Sequence, residues 1–151
     1  MRTLGNILWH FPFLGFLNAL ITFLLGSLLV ITMVGAPIGL GLIQLSKFFL
    51  TPFSCAMISK KNLDADQNKL WLSFGFIVRI LYFPLGLFLT IATIFQIAGL
   101  FISILGIPVA LVLAKSLGTI FNPVNKICVP KAVENELEQR QAKAQVEKHF
   151  G

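Results

Sequence analysis

The chain has 151 residues, of which 56% are hydrophobic and 12% are charged, and its formal net charge is +6. Soluble domains typically carry about 25% charged residues, so this composition argues against a soluble protein and indicates one that lies in lipid. The length allows one domain or two small ones.

The first predicted element is a long apolar stretch from about Leu8 to Val34, within a segment that has no charged residue between Arg2 and Lys47. A helix needs about 20 apolar residues to cross a bilayer, so this stretch predicts a transmembrane helix. The apolar sequence continues past Ser27 without a polar cleavage region. We therefore expect a retained span and not a cleaved signal peptide.

The sequence GAPIG, from Gly35 to Gly39, then interrupts the apolar run. Proline disfavours a helical residue before it and has no backbone N–H to donate, and glycine tolerates the backbone angles that end a helix. We expect a tight corner here, with Pro37 in the first turn of a second, shorter helix over about 38–58.

A polar linker follows, which we assign to residues 60–71 and expect to lie at the membrane surface on the cytoplasmic side. It contains Lys60 and Lys61, and it ends at Trp71, a residue type that is enriched at membrane interfaces. A second long apolar stretch runs from about Ser73 to Leu105 and predicts another transmembrane helix.

The sequence GIPVA at 106–110 repeats the first interruption, with Gly106 and Pro108 at the new corner and a second helix predicted over about 109–127. Shifting the chain by 71 positions brings the two G-x-P sequences together and lays Pro52 on Pro123. Self-similarity at a fixed offset indicates duplicated units. The predicted fold is therefore an all-α membrane protein with two tandem repeats, over 1–59 and 72–130.

Residues 131–151 are rich in helix formers and in charge, and we expect them to form a cytoplasmic helix. Glu136 and Arg140 stand four residues apart, so they can pair on one face of it. A possible role of this tail is to bind a partner protein that the sequence does not identify.

The distribution of positive charge predicts the topology. Basic residues lie before the first repeat, between the repeats and after the second, whereas neither corner is charged. Because positive residues concentrate in cytoplasmic loops, we favour four crossings with both termini cytoplasmic. The alternative gives each repeat one full span and a shorter re-entrant or interfacial helix.

No pattern in the sequence indicates an enzyme, a cofactor site or a metal site. All six acidic residues lie in the linker or the tail, so paired carboxylates inside an apolar stretch are excluded. Cys55 and Cys128 have no metal-ligand spacing, and we expect small buried residues there, with a disulfide as the alternative. The basic residues accompany no soluble fold of the kind that binds nucleic acid.

Three polar residues inside the second helices are candidates for a pore or a polar face: Gln44, Lys47 and Lys115. Lys115 lies on Gln44 after the shift of 71 positions, so both repeats place a polar residue on a similar face. The functional hypothesis is an oligomeric pore or transport path, with anions as candidate substrates. In the other interpretation the lysines extend to the membrane surface.

Residues 1–131 carry nine Lys or Arg and two Asp or Glu, which gives a charge of +7 next to the membrane. This charge suits anionic lipid headgroups, at about 1 kcal/mol for each basic residue near the surface. The residues expected to contact headgroups are Lys60, Lys61, Arg79, Lys126 and Lys131. The competing hypothesis is therefore a structural or regulatory scaffold, and in either case we expect a homo-oligomer.

The twice-used pattern VGAPIGLGLIQLSKFFLTPF and LGIPVALVLAKSLGTIFNPV, together with the opening MRTLGNILW, resembles the YccF family of small bacterial inner-membrane proteins. The resemblance covers nearly the whole chain except the tail, and it implies location and topology while supplying no catalytic residue. The second copy departs from the family pattern, since Ala110 replaces the last glycine of the corner and Val124 replaces a phenylalanine.

Overall fold

The computed structural model describes residues 2–11, 15–63 and 68–151. Asp64 and Asp66 of the predicted linker lie outside these residues. Six α-helices are described: α1 Arg2–His10, α2 Gly15–Ile31, α3 Ala36–Leu50, α4 Lys69–Ile102, α5 Ile107–Phe121 and α6 Lys131–Phe150.

Two short strands accompany the helices, so the prediction of an all-α fold is wrong in this detail. β1, Cys55–Ser59, pairs antiparallel with β2, Lys126–Pro130, and Met57 lies opposite Cys128 at the centre of the register. The predicted helices over 38–58 and 109–127 are correspondingly too long. The physical reason is that each strand finds its hydrogen-bond partner about 70 residues away, which local patterns do not reveal.

Two prolines explain where the shorter helices stop. α3 ends at Leu50 and α5 ends at Phe121, in each case two residues before Pro52 or Pro123. Proline disfavours a helical conformation in the residue before it. Pro52 and Pro123 therefore terminate these helices and do not kink them.

The corners keep their prolines where they were expected, because Pro37 and Pro108 lie in the first turn of α3 and α5. The glycines act differently from the prediction. Gly35 and Gly106 have right-handed helical backbone angles, and the left-handed residue at the first corner is Met33. A Cβ on Gly106 would lie 2.5 Å from the carbonyl oxygen of Leu100, so glycine is required there for space.

The chain forms two hairpin units. The first hairpin unit contains α1, α2, α3 and β1, and the second contains α4, α5 and β2. In each, a long helix packs antiparallel to the shorter helix that follows the corner. The bounds of α3 and β1 coincide with those of α5 and β2 after a shift of 71 positions.

The long apolar helices bear out the membrane assignment. α4 and residues 104–121 are each long and apolar enough to cross a bilayer, and α1 with α2 would make a third span if the two helices, bent by 77°, act as one. α3 has 15 residues and is about 22 Å long, which is shorter than the bilayer core of about 30 Å.

The buried core lies where the two hairpin units meet the strands. Its main members are Trp9, Ala19, Leu45, Phe48, Phe49 and Val112. α6 leaves this region directly after β2 and has no buried residue, and its Arg140 forms the expected ion pair with Glu136 at 2.8 Å.

Candidate functional site: the sheet end

We call the end of the molecule that contains β1, β2, α1 and the last turns of α3 and α5 the sheet end. Residues 32–35 and 103–106 form the two corners. Most of the polar contacts between elements lie at the sheet end. Several of them are made to the carbonyl groups that every helix leaves without a backbone partner at its C-terminus.

Side chains of α1 satisfy the last carbonyls of α3. Trp9 Nε1 donates to the carbonyl oxygen of Phe49 at 2.7 Å, and His10 Nε2 lies 2.8 Å from that of Leu50. The Trp9 side chain is only 1% exposed. A buried carbonyl without a partner costs about 1–3 kcal/mol, so this contact fixes α1 across the end of α3.

The second hairpin unit satisfies the corresponding carbonyl with a different side chain. Tyr82 Oη, from α4, donates to the carbonyl oxygen of Ile120 at 3.0 Å. Ile120 lies 71 positions after Phe49, so two equivalent carbonyls receive an aromatic N–H and an aromatic O–H. Sequence analysis missed both donors, although a Trp and the chain's one Tyr inside apolar runs are a usable signal, because such groups need a partner when buried.

Asn6 joins α1 to the segment that follows α3. Its Oδ1 accepts the backbone N–H of Phe53 at 3.0 Å, and its Nδ2 donates to Ser54 Oγ at 3.0 Å. These bonds hold the chain in position at the start of β1. This residue was also missed in the sequence, where a single Asn near the N-terminus carries no distinguishing pattern.

Of the three predicted pore residues, Gln44 contacts the sheet. Its Oε1 accepts the backbone N–H of Cys128 at 3.2 Å. In an antiparallel pair, opposite residues alternate between bonding to each other and directing their backbone N–H and C=O groups away from the partner strand. Cys128, opposite Met57, directs its N–H away from β1, so Gln44 of the first unit covers the outer edge of β2 in the second.

Lys115 lies at the other edge of the sheet. Its Nζ is 4.7 Å from the centre of the Phe53 ring, a distance at which a cation is attracted by the ring. Lys115 also lines a cavity of about 150 Å³ with Ala56, Lys131 and Glu134. Lys47, the third predicted residue, is exposed in the last turn of α3.

A second basic group lies around the turn that precedes β2. Lys60, Trp71, Asn125 and Lys126 line one small pocket. The backbone N–H of Lys60 donates to the carbonyl oxygen of Asn125 at 2.9 Å. Burial, followed by the positive charge of Arg79, lowers the pKa of Lys126.

The two cysteines lie on this sheet as free thiols. Cys55 Sγ is 3.2 Å from the hydroxyl of Thr51. Burial and the neighbouring Cys55 raise the pKa of the Cys128 thiol to about 12. Within residues 2–11, 15–63 and 68–151, no group of three or more His, Cys, Asp or Glu is arranged to hold a metal ion.

The structure places the predicted headgroup residues in or beside the strands and the first part of α4. Lys60 and Lys61 follow β1, Lys126 is the first residue of β2, Lys131 follows β2, and Arg79 lies in the first part of α4. Of the predicted corner residues, Gly35 and Gly106 lie at the two corners, and Pro37, Gly39 and Pro108 lie in the first turns of α3 and α5. Pro37 lines the same small pocket as Lys60 and Lys126, so the first corner lies beside part of the basic group.

Comparison with known proteins identifies one part of the chain. Residues 4–54 match the family model described as YccF, inner membrane component domain, which confirms the resemblance for this stretch and supports a membrane location. The matched residues include most of α1 and all of α2 and α3, and they end before β1. No curated protein and no solved structure matches the chain.

Proposed function

We propose that this chain, whose residues 4–54 match an inner membrane component domain, is a non-enzymatic, multi-pass scaffold of the bacterial inner membrane. Its sheet end binds anionic lipid headgroups on the cytoplasmic side. The observation that carries this proposal is charge: the basic residues of 1–131 cluster around the strands, and residues 32–35 and 103–106 contain none.

The two hairpin units are, in this proposal, copies of one ancestral unit. Support comes from the strand register, because Met57 and Cys128 are 71 positions apart in sequence and pair at its centre. Exchanging the two units therefore leaves the register unchanged, as a twofold axis through this pair requires. Both corners then point to the same side of the membrane.

The proposed topology has four crossings with both termini in the cytoplasm. β1 pairs with β2, so each unit starts and ends near the sheet end. A unit that crosses the membrane an even number of times starts and ends on the same side. The positive-inside rule favours the cytoplasmic side for the sheet end. The short α3 is the weakest span, at about 22 Å, and the four residues that join it to β1 extend its reach.

The same geometry favours the scaffold over an oligomeric pore or anion path. A pore needs Gln44, Lys47 and Lys115 to face one aqueous route. Gln44 instead accepts a backbone hydrogen bond from β2, and Lys115 lies against the Phe53 ring. We still propose a homo-oligomer, since α4 has little buried surface of its own, and we propose α6, in which no residue is buried, as the element that binds a partner protein.

Reconstitution into vesicles separates the two functions. We expect the purified chain to leave anion flux at the level of empty vesicles, and to bind vesicles with phosphatidylglycerol more tightly than vesicles of phosphatidylcholine alone. Flux that depends on the protein and falls in the Lys47→Gln, Lys115→Gln double variant would support the pore. Equal binding to both lipids would contradict the scaffold.

Cysteine labelling in intact cells tests the topology, in a background without Cys55 and Cys128. Val34 and Leu105 are 63% and 75% exposed at the two corners. We expect a membrane-impermeant thiol reagent added outside the membrane to label Val34→Cys and Leu105→Cys, and to leave Lys61→Cys unlabelled. Protection of both corners from the outside would indicate re-entrant helices.

A further inference from the structure

Among residues 2–11, 15–63 and 68–151, the pocket before β2 brings positive charges together and has no carboxylate in its lining. Lys60 and Lys126 line it, and Arg79 lies close enough to lower the pKa of Lys126. Among the residues that the structure describes, the ion pair found is Arg140–Glu136 in α6, and it does not include Lys60, Arg79 or Lys126. Like charges held together destabilise one another unless an anion lies between them.

The backbone brings the elements that carry these charges next to each other. Gly75 of α4 packs against the turn before β2, where its Cβ position is 3.3 Å from Val124 and 3.9 Å from the Asn125 side chain. Arg79 lies four residues after Gly75 and therefore on the same face of α4. Asn125 has a left-handed backbone, with φ of 58°, and this turn directs the chain into Lys126.

The cluster of Lys60, Arg79 and Lys126 matches lipid phosphates in its depth relative to the bilayer. The uncharged part of α4 runs from Ile80 to Ile102, a length of about 34 Å, enough to cross the core of about 30 Å. Arg79 then lies at the boundary between hydrocarbon and headgroups. Trp71, which lines the same pocket, is of the type enriched at that boundary.

We infer that Arg79, Lys126 and Lys60 form a site for one phosphodiester group, supplied by a single anionic glycerophospholipid whose chains lie along α4. The inference rests on the proposed function, which assigns the sheet end to the lipid surface, and it adds a defined site to a general attraction. Arg79 supplies a planar, multiply donating group for phosphate oxygens, and the lysines supply point charges.

Native mass spectrometry of the full chain in detergent tests the site. The measured quantity is the apparent Kd of the first bound lipid, for phosphatidylglycerol and for phosphatidylcholine with the same acyl chains, with inorganic phosphate as a competitor. We expect Arg79→Gln and Lys126→Gln each to weaken the first phosphatidylglycerol about fivefold, which is the equivalent of about 1 kcal/mol per basic residue. Lys126→Arg should retain binding.

The matched control is Lys131→Gln, which removes the same charge from the position that corresponds to Lys60 in the second unit. We expect less than a twofold change there. Equal weakening by Lys131→Gln and Lys126→Gln would overturn the defined site while leaving the proposed function standing. No preference for phosphatidylglycerol in the unaltered chain would overturn both, and complete competition by millimolar inorganic phosphate would assign the site to free phosphate and overturn the lipid.

Discussion

The two hairpin units have the same outline and different contents. In the first, α1 and α2 are separate helices with different directions, and Trp9 donates to the end of α3. In the second, α4 is one helix of 34 residues that contains Pro84, and Tyr82 donates to the end of α5. The bounds of α3 and β1 nevertheless agree with those of α5 and β2 after a shift of 71 positions.

The comparison shows that the two units share the same backbone requirements, although the side chains that meet them differ. Each unit needs a proline after the shorter helix, a donor for an unpaired carbonyl and a strand to pair with the other unit. Different side chains meet these needs, which is in keeping with a family match confined to residues 4–54. Three experiments sharpen this comparison.

The largest effect is expected at Gly41, whose equivalent in the second unit is the fully buried Val112. A Cβ on Gly41 would overlap the carbonyl group of Pro123, a backbone atom that cannot move aside easily. We expect Gly41→Ala to lower the free energy of unfolding by about 3 kcal/mol, measured by denaturant titration in detergent micelles.

Gly118 is the control for this change, because nothing lies within 4 Å of a Cβ built there. Alanine in a helix interior is favoured over glycine by about 0.5–1 kcal/mol. We therefore expect Gly118→Ala to stabilise the protein slightly. A Gly41→Ala variant as stable as the unaltered chain would mean that the two units are packed less closely than the structure indicates.

A smaller effect separates the two carbonyl donors. Trp9→Phe leaves the buried carbonyl of Phe49 without a partner and opens space in the core, so we expect a loss of about 2–3 kcal/mol. Tyr82→Phe removes only a hydroxyl, and we expect a loss of about 1 kcal/mol. The same titration measures both, and equal losses would show that the two donors hold their units with the same strength.

The smallest effect on stability is expected at Cys128, where the reactivity of the thiol is the quantity to measure. The thiolate is the reactive form, so a pKa of about 12 instead of 9.0 lowers the thiolate fraction at pH 8 about a thousandfold and predicts slower alkylation than in the unfolded chain. Because the folded state retains a proton that the unfolded state loses, this group favours folding less as pH rises from about 9 to 12. Peptide mapping after alkylation follows Cys128 separately from Cys55, and rapid labelling of Cys128 in the folded protein would contradict its burial.

Sequence patterns predicted the features that depend on local chemistry. The long apolar stretches, the corner prolines in the first turns of α3 and α5, and the ion pair between Glu136 and Arg140 all follow from composition or short spacing. Each of these signals lies within a few residues, and the structure agrees with each of them.

The features that were missed depend on partners that are distant in sequence. β1 and β2 pair across about 70 residues, and Gln44 reaches the backbone of Cys128 across 84. In a chain with 56% hydrophobic residues, the segments that follow α3 and α5 carry the same apolar signal as the helices before them. Helix and strand are therefore not separable there without knowledge of the partner.

The strand pairing between β1 and β2 has a consequence for biosynthesis. The last residue of β1 is Ser59 and the last of β2 is Pro130, so a ribosome that adds about 5–20 residues per second takes about 4–14 seconds to go from one to the other. During that interval β1 has no partner strand within its own chain. Two neighbouring nascent chains can then exchange strands, since an unpaired edge accepts any strand of the right sequence, and slow insertion of the second hairpin unit favours such an exchanged dimer.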